Sequence, residues 1–123
     1  MPRLLIVDDS PMIRRAVRDF LGVEGSSWEI CGEAAGAENG FQLCRSLEPD
    51  AILIDLSLSE GNGLDLALRV KGTLAGTRIV VMSEHSPRVL EILATTYDVE
   101  AVDKSMLSSH LIDTLNRAIA NPG

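Results

Sequence analysis

The chain has 123 residues and a net charge of -7 at neutral pH, and 46% of its residues are hydrophobic. This length and apolar content suit a single core, so we expect residues 1–123 to form one domain. The acidic balance argues against direct binding to nucleic acid or to an anionic membrane.

Two further features bear on where the protein works. No apolar run approaches the roughly 18 residues that membrane insertion needs, and Met1-Pro2-Arg3 leads into a predicted strand rather than into a signal peptide. We therefore expect a cytoplasmic protein. Cys31 and Cys44 have neither disulfide-framework nor metal-ligand spacing, and we expect both to be small buried apolar side chains.

Strand-like and helix-like periods alternate along the chain, beginning with an apolar strand at residues 3–7. Ser10-Pro11 then predicts a helix, because Ser caps helix starts and Pro is tolerated in the first turn. One face of this helix is apolar and the other is basic. The basic face is either solvated or a contact surface for a partner. It contains Arg14, Arg15 and Arg18, and Gly22 and Gly25 are expected to end the helix.

The next units follow the same order. Alternating polar and apolar residues predict a half-exposed strand at 28–34, a helix follows at 39–47, and an apolar strand follows at 51–55. The remaining elements are a helix with Leu64, Ala67, Leu68 and Val70 inward, closed by Gly72 and Gly76; a strand at 78–83; a helix after Ser86-Pro87 with Leu90, Leu93, Ala94 and Tyr97 on one face; a short strand at 101–103; and a last helix with Leu111, Leu115, Ala118 and Ile119 on one face.

Five such β-α units force parallel strands with right-handed crossovers. The continuously apolar strands, the first, third and fourth, belong in the middle of the sheet, and the two mixed strands belong at its edges. This sorting predicts an α/β fold, a flavodoxin-like, doubly wound, five-stranded parallel sheet of order 2-1-3-4-5 with five helices. In that order the first and third strands are neighbours, so Asp8, Asp9 and Asp55 crowd together at their carboxyl ends.

Carboxylates crowded in this way need a proton or a cation. Two unpaired carboxylates about 4 Å apart repel by roughly 4 kcal/mol at an effective dielectric near 20. Oxygen ligands with room for water suit Mg²⁺, whereas Asp residues that only cap loops and helices would leave no site. Lys104 adds a positive charge and Ser83 adds a hydroxyl at the same edge. Asp55 then reads as a nucleophile that forms an acyl phosphate.

Several fragments, in order, resemble the CheY-like receiver domains of two-component response regulators. They are Leu5-Ile6-Val7-Asp8-Asp9-Ser10, Ile54-Asp55-Leu56 with Gly63-Leu64 eight residues beyond the Asp, Val80-Val81-Met82-Ser83, and Asp103-Lys104. The resemblance runs nearly end to end. It implies a phosphorelay protein that catalyses only its own phosphoryl transfer and dephosphorylation.

The resemblance also implies roles for individual residues. Asp55 would accept a phosphoryl group from a phosphohistidine on a sensor histidine kinase or a histidine phosphotransfer protein. Mg²⁺ would be held by Asp8, Asp9, Asp55 and the main-chain carbonyl of Ser57. Ser83 would be the switch hydroxyl, and Lys104 would be the ion-pair partner of the phosphoryl group. Output would pass through the face of the fourth helix, fifth strand and fifth helix to a downstream protein target, and self-association as a homodimer is left open.

Four positions depart from the family pattern. Ser59 and Ser105 stand where the family commonly has Pro, Glu84 stands where a small residue is usual, and Ala101 occupies the switch position that is usually aromatic. A cis bond before a non-proline residue costs roughly 2.5–4 kcal/mol, so we expect the bond after Lys104 to be trans.

Glu84, Ala101 and Ser105 suggest an alternative, a receiver-like protein-binding module that works without phosphorylation, whereas the intact Asp8, Asp9, Asp55 and Lys104 argue against it. A third class, a flavin or nucleotide binder or a small phosphohydrolase, ranks last. The loops lack a Gly-rich cradle, aromatic residues make up only 3% of the chain, and Ser57 stands where such a hydrolase needs Asp.

Overall fold

The structure is a computed structural model that describes residues 1–23 and 26–120. Five parallel strands form one sheet of order β2-β1-β3-β4-β5, which confirms the predicted flavodoxin-like α/β fold. The strands are β1 (Arg3–Val7), β2 (Glu29–Ala34), β3 (Ala51–Asp55), β4 (Arg78–Ser83) and β5 (Glu100–Asp103). The helices are α1 (Pro11–Leu21), α2 (Ala37–Leu47), α3 (Gly63–Thr73), α4 (Pro87–Tyr97) and α5 (Leu107–Ala120), with a 3-10 turn at Lys104–Met106.

The register of the sheet brings the carboxyl ends of four strands to one edge. Val7 pairs with Ile54, and Ser83 pairs with Asp103. Asp55 pairs with Met82, the residue before Ser83. The residues that end β1, β3, β4 and β5 are therefore side by side, as the predicted site requires.

Alternate residues of the strands are buried in two separate cores, one on each face of the sheet. Leu4 and Ile6 of β1 belong to the core that α1 and α5 cover, and Leu5 and Val7 belong to the core that α2 and α3 cover. All four side chains are completely buried. Each contributes about 1.5–3 kcal/mol by burial, which fixes β1 in the middle of the sheet.

The helix starts follow the predicted capping pattern. Ser10 Oγ accepts a hydrogen bond from the Ile13 N–H at 3.3 Å, and Ser86 Oγ accepts one from the Val89 N–H at 3.4 Å. In both cases Pro occupies the first helical turn, where its missing N–H leaves no bond unmade. The first helix ends at Leu21 with Gly22 as its C-terminal cap, and Gly25 lies outside the described residues.

The predicted inward face of α3 is wrong in part. Leu66 is buried, whereas Leu68 is 39% exposed. The reason is the close packing of Gly63 on the backbone of β3, which sets the rotation of the helix. Gly72 lies inside the helix rather than at its end, because α3 continues to Thr73.

Two smaller expectations also need correction. Ile119 in α5 is 39% exposed, and α5 buries Leu107 and Thr114 in addition to the predicted residues. The helix α2 begins at Ala37, two residues earlier than predicted. The predicted face of α4 is confirmed, since Leu90 is buried and Leu93, Ala94 and Tyr97 are half-buried.

The second strand begins at Glu29, one residue later than predicted, and Trp28 belongs to the core that α1 and α5 cover. Trp28 is buried, and its Nε1–H donates a hydrogen bond to Asn116 Oδ1 on α5 at 2.9 Å. Cys44 is buried as expected, whereas Cys31 is only half-buried at the sheet edge. Within the described residues, every helix is too short or too polar to span a membrane.

Candidate functional site

Three carboxylates converge where β1 and β3 end. Asp8 and Asp9 follow β1 directly and precede the capping residue of α1, and Asp55 is the last residue of β3. One oxygen of each carboxylate lies within 4.8 Å of the others. Asp8 is completely buried, Asp55 is nearly so, and Asp9 is half-buried. The cluster therefore has a closed floor and one side that is open to solvent.

Lys104 bridges two of these carboxylates. Its Nζ lies 3.0 Å from Asp8 Oδ2 and 3.0 Å from Asp55 Oδ2. Only 11% of the lysine side chain is exposed. If all three carboxylates are ionised, one ammonium group faces three negative charges, and two remain uncompensated.

Burial and the neighbouring charges act together on the pKa values of the cluster. Burial raises the pKa of Asp8, although the Ser10 N–H and the Lys104 ammonium oppose the shift. Burial alone would lower the pKa of Lys104, but its contacts with Asp55 and Asp8 outweigh burial and raise it. The Ser59 side chain lowers the pKa of the Asp9 carboxyl, against a small effect of burial. Lys104 therefore stays charged, and Asp8 is the carboxyl most in need of a further cation.

Backbone hydrogen bonds orient the two buried carboxylates. Asp8 Oδ1 accepts from the Ser10 N–H at 2.8 Å, and Asp55 Oδ1 accepts from the Ser57 N–H at 2.9 Å. Asp8 Oδ2 is fully buried and receives no hydrogen bond of good geometry, in spite of its ionic contact with Lys104. Its charged neighbour, the Lys104 ammonium, is shared with Asp55, so this buried oxygen can still take a further cation.

This donor set fits Mg²⁺. Carboxylate oxygens are its preferred protein ligands, and the ion keeps several waters, which the open side near Asp9 can accommodate. Asp8, Asp9 and Asp55 are the side chains that would hold it. The Ser57 backbone lies beside Asp55, as a fourth ligand from that residue would require.

The predicted switch residues lie at the two strands farther along the sheet. Ser83 ends β4 and is buried, and its Oγ accepts a hydrogen bond from the His85 N–H at 3.2 Å. Ala101 is half-buried in β5, opposite Val81. It lines a groove of about 290 Å³ together with Leu90, Ala94 and Met106. A methyl group at this position leaves space between α4 and α5.

The loop after Lys104 is rebuilt around a serine. Asp103 Oδ1 accepts from both the Ser105 N–H at 2.9 Å and the Ser105 hydroxyl at 2.8 Å. These bonds cap the 3-10 turn at Lys104–Met106. All peptide bonds among the described residues are trans, which confirms the expectation for the bond after Lys104.

The family model for the response regulator receiver domain matches residues 4–116, which is nearly the whole chain. The chain belongs to this family. Escherichia coli nitrate/nitrite response regulator protein NarL is 33% identical over 119 residues, which cover 95% of this receiver domain and 54% of NarL. The receiver domain thus spans about half the length of that relative.

Two chains from Thermotoga maritima, the CheY protein and one domain of CheB, match along almost their full length. The chemotaxis protein CheY is 26% identical over 116 residues, covering 94% of this receiver domain and 95% of CheY. The response regulator domain of CheB superposes with a TM-score of 0.86 at 18% identity, covering all of this receiver domain and 99% of that chain. The CheB comparison supports the fold alone.

Two contacts of this receiver domain escaped the sequence analysis. A Cβ atom on Gly63 would lie 2.1 Å from the Asp55 carbonyl oxygen, so the start of α3 touches the backbone of the acidic site. The glycines at 61 and 63 mark a turn between β3 and the next helix in the sequence, but they do not indicate this contact. Arg14 donates hydrogen bonds to the Asp8 carbonyl and to Glu33. No signal in the sequence could link residues 14 and 33, because only the fold makes them neighbours.

The unusual Glu84 lies beside the site but not inside it. Glu84 and His85 are both exposed, and they line an open cleft with Lys104 and Ser105. Because its side chain is exposed, Glu84 can remain in water rather than press its charge against the buried carboxylates.

Proposed function

We propose that this receiver domain is phosphorylated on Asp55 in a Mg²⁺-dependent transfer from a phosphohistidine, and that the modification switches a protein-binding surface. The donor is a sensor histidine kinase or a histidine phosphotransfer protein, and the receiver of the signal is a downstream protein target. The observation that supports this most strongly is the shared contact of one lysine, Lys104, with the buried carboxylates of Asp8 and Asp55, next to the third carboxylate of Asp9.

In the proposed transfer, a carboxylate oxygen of Asp55 attacks the phosphorus atom of the phosphohistidine. The new O–P bond forms as the P–N bond breaks, and the imidazole leaves with the bonding electrons and takes a proton from solvent. The product is an acyl phosphate. The acyl phosphate is then hydrolysed: water attacks phosphorus, the O–P bond to Asp55 breaks, and inorganic phosphate leaves.

The residues around Asp55 divide the remaining work. Lys104 neutralises charge on the phosphoryl oxygens. The Ser83 hydroxyl, whose oxygen accepts from the His85 N–H, donates its own hydrogen to one of them. Asp8, Asp9, Asp55 and the Ser57 carbonyl would hold Mg²⁺. The bound ion would supply further charge neutralisation of the phosphoryl group. The chain itself carries out only this transfer and the hydrolysis of the acyl phosphate.

The test is incubation with Mg²⁺ and acetyl phosphate, followed by intact mass measurement. We expect a gain of one phosphoryl group that EDTA abolishes. Beryllofluoride with Mg²⁺ should shift the amide NMR signals of Asp55 and Ser57. A folded protein that neither gains mass nor binds beryllofluoride would contradict the proposal.

A second candidate function, a binding module that works without phosphorylation, is favoured by one observation. Ala101 occupies the switch position that is usually aromatic in the family, and it provides no ring to move into the groove between α4 and α5. This candidate predicts that partner binding is the same before and after incubation with Mg²⁺ and acetyl phosphate. The proposed function predicts that binding changes when Asp55 is phosphorylated.

Lys104→Ala separates Mg²⁺ binding from switching. We expect it to bind Mg²⁺ about tenfold more tightly, because the ammonium 3.0 Å from two ligand oxygens repels the ion. Acetyl phosphate should still modify Asp55, whereas NMR shifts outside the site should shrink because the ion-pair partner is missing. Calorimetric titration measures the first effect, and NMR measures the second.

The matched control is Lys71→Ala. Lys71 is exposed and contacts Asp98 at the far ends of α3 and α4. This variant should bind Mg²⁺ as the unmodified protein does. Weaker Mg²⁺ binding in Lys104→Ala would show that Lys104 organises the carboxylates rather than competing for them.

A further inference from the structure

Arg14 joins the acidic site to the edge of the sheet. Its Nη1–H donates to the main-chain carbonyl of Asp8, and its Nε–H donates to Glu33 Oε1 at 3.1 Å. The Arg14 side chain is 19% exposed and the Glu33 side chain is 27% exposed. The two side chains therefore form an ion pair that is partly shielded from water, on the side of β1 away from Lys104.

Glu33 is itself held firmly. Its two oxygens also accept from Arg18 Nη1 at 2.7 and 2.6 Å. Glu33 lies in β2, where it pairs with Ile6 of β1. The anchor for Arg14 is thus a charged group on the neighbouring strand, fixed by a second arginine.

Three polar groups of Asp8 are held by hydrogen bonds. Its N–H donates to the Ala34 carbonyl at 3.0 Å, its own carbonyl accepts from Arg14, and its Oδ1 accepts from the Ser10 N–H. Only Oδ2 is left without a well-directed hydrogen bond. The backbone is fixed on both sides so that this oxygen points into the cluster.

We infer that Arg14, anchored by Glu33, is a positioning residue that holds Asp8 in place for Mg²⁺. This inference rests on the proposed function, since it assigns Arg14 a role in the same Mg²⁺ site. Partners of metal ligands commonly act in this way by fixing the orientation of the ligand. Arg14 acts through Asp8 and does not itself touch the ion or the phosphoryl group.

Positioning and simple charge effects predict opposite signs. Removing a positive charge near a cation site strengthens cation binding through Coulomb interaction. Losing the bond that fixes Asp8 weakens binding, because the ligand must then be ordered at the moment of binding. A change at Arg14 therefore reports which effect dominates.

The experiment compares Arg14→Gln with Arg15→Gln. Arg15 is exposed on the same helix and has no ion-pair partner within residues 1–23 and 26–120. The Arg15→Gln substitution therefore removes the same charge without disturbing Asp8. We expect Arg14→Gln to weaken Mg²⁺ binding about tenfold, at the low end of the loss seen for partners of metal ligands. Arg15→Gln should bind Mg²⁺ as tightly as the unmodified protein or slightly more so.

Three further variants secure the interpretation. Arg14→Lys keeps the charge and one hydrogen bond, and should give an intermediate affinity. Glu33→Gln should also weaken Mg²⁺ binding, and the double variant with Arg14→Gln should be no worse than Arg14→Gln alone, because both changes cut one connection. Circular dichroism and thermal melting without Mg²⁺ separate a loss of folding from a loss of affinity.

The outcomes are distinct for the two proposals. If the unmodified protein binds Mg²⁺ but Arg14→Gln binds it equally or more tightly while folded, the inference about Arg14 is wrong and the proposed function stands. If the unmodified protein binds no Mg²⁺, the proposed function fails, and the role of Arg14 fails with it.

Discussion

Asp55→Asn is expected to abolish the Mg²⁺-dependent gain of a phosphoryl group while leaving the fold intact. An amide oxygen is a poor nucleophile, and its attack would not give an acyl phosphate. The substitution keeps the shape of the side chain at a site that is only 2% exposed. It also removes one of the charges that raise the pKa of Asp8, so folding should not suffer. Intact mass after incubation with acetyl phosphate measures the loss.

Asp19→Asn is the matched control, because Asp19 is an exposed residue on the solvent side of α1. This variant carries the same chemical change away from the cluster, and Asp55 in it should be phosphorylated as fast as in the protein without substitutions. A phosphoryl group on the Asp55→Asn protein would show that another residue is the acceptor. That result would sink the assignment of Asp55.

Gly63→Ala is expected to lower the free energy of unfolding by at least about 3 kcal/mol, the upper range for overpacking a core. The added Cβ would lie 2.1 Å from the Asp55 carbonyl oxygen and 2.7 Å from the Leu56 Cα. Both are backbone atoms, so no side-chain rotation relieves the overlap. The start of α3 must move away from β3, and the loop that follows Asp55 must move with it. Chemical denaturation measures the loss, and phosphorylation of the folded fraction should slow.

Gly72→Ala in the same helix provides the control. A Cβ atom at Gly72 would meet nothing within 4 Å. Ala is a better helix former than Gly by about 0.5–1 kcal/mol, so this variant should be slightly more stable than the unmodified protein. If Gly63→Ala were as stable as Gly72→Ala, the close approach of α3 to the acidic site would be refuted.

The sheet and the acidic cluster could be predicted because both depend on period and order along the chain. Apolar runs ending at Val7 and Ile54 marked central parallel strands, and the strand order then made Asp8 and Asp55 neighbours. The same reasoning brought Lys104 to the edge where the structure places it. None of these steps needs knowledge of how side chains pack.

The rotation of α3 and the partner of Arg14 could not be predicted, for a different physical reason. Leu64, Leu66 and Leu68 stand at every second position, so a helical period does not decide which of them faces the core. The contact of Gly63 with β3 decides it, and that contact is tertiary. Arg14 and Glu33 likewise meet only because β2 lies beside β1.

The crowding of Asp8, Asp9 and Asp55 also makes the free energy of unfolding depend on the concentration of divalent cations. Closing the sheet forces three carboxylates together, and the unfolded chain has no such cluster to hold a cation. A ligand that binds only the folded state stabilises it, by about 2.7 kcal/mol at a hundred times its dissociation constant. Magnesium would therefore raise the thermal stability of this protein in addition to assisting phosphoryl transfer, and chelation of the ion would lower the melting temperature of the protein.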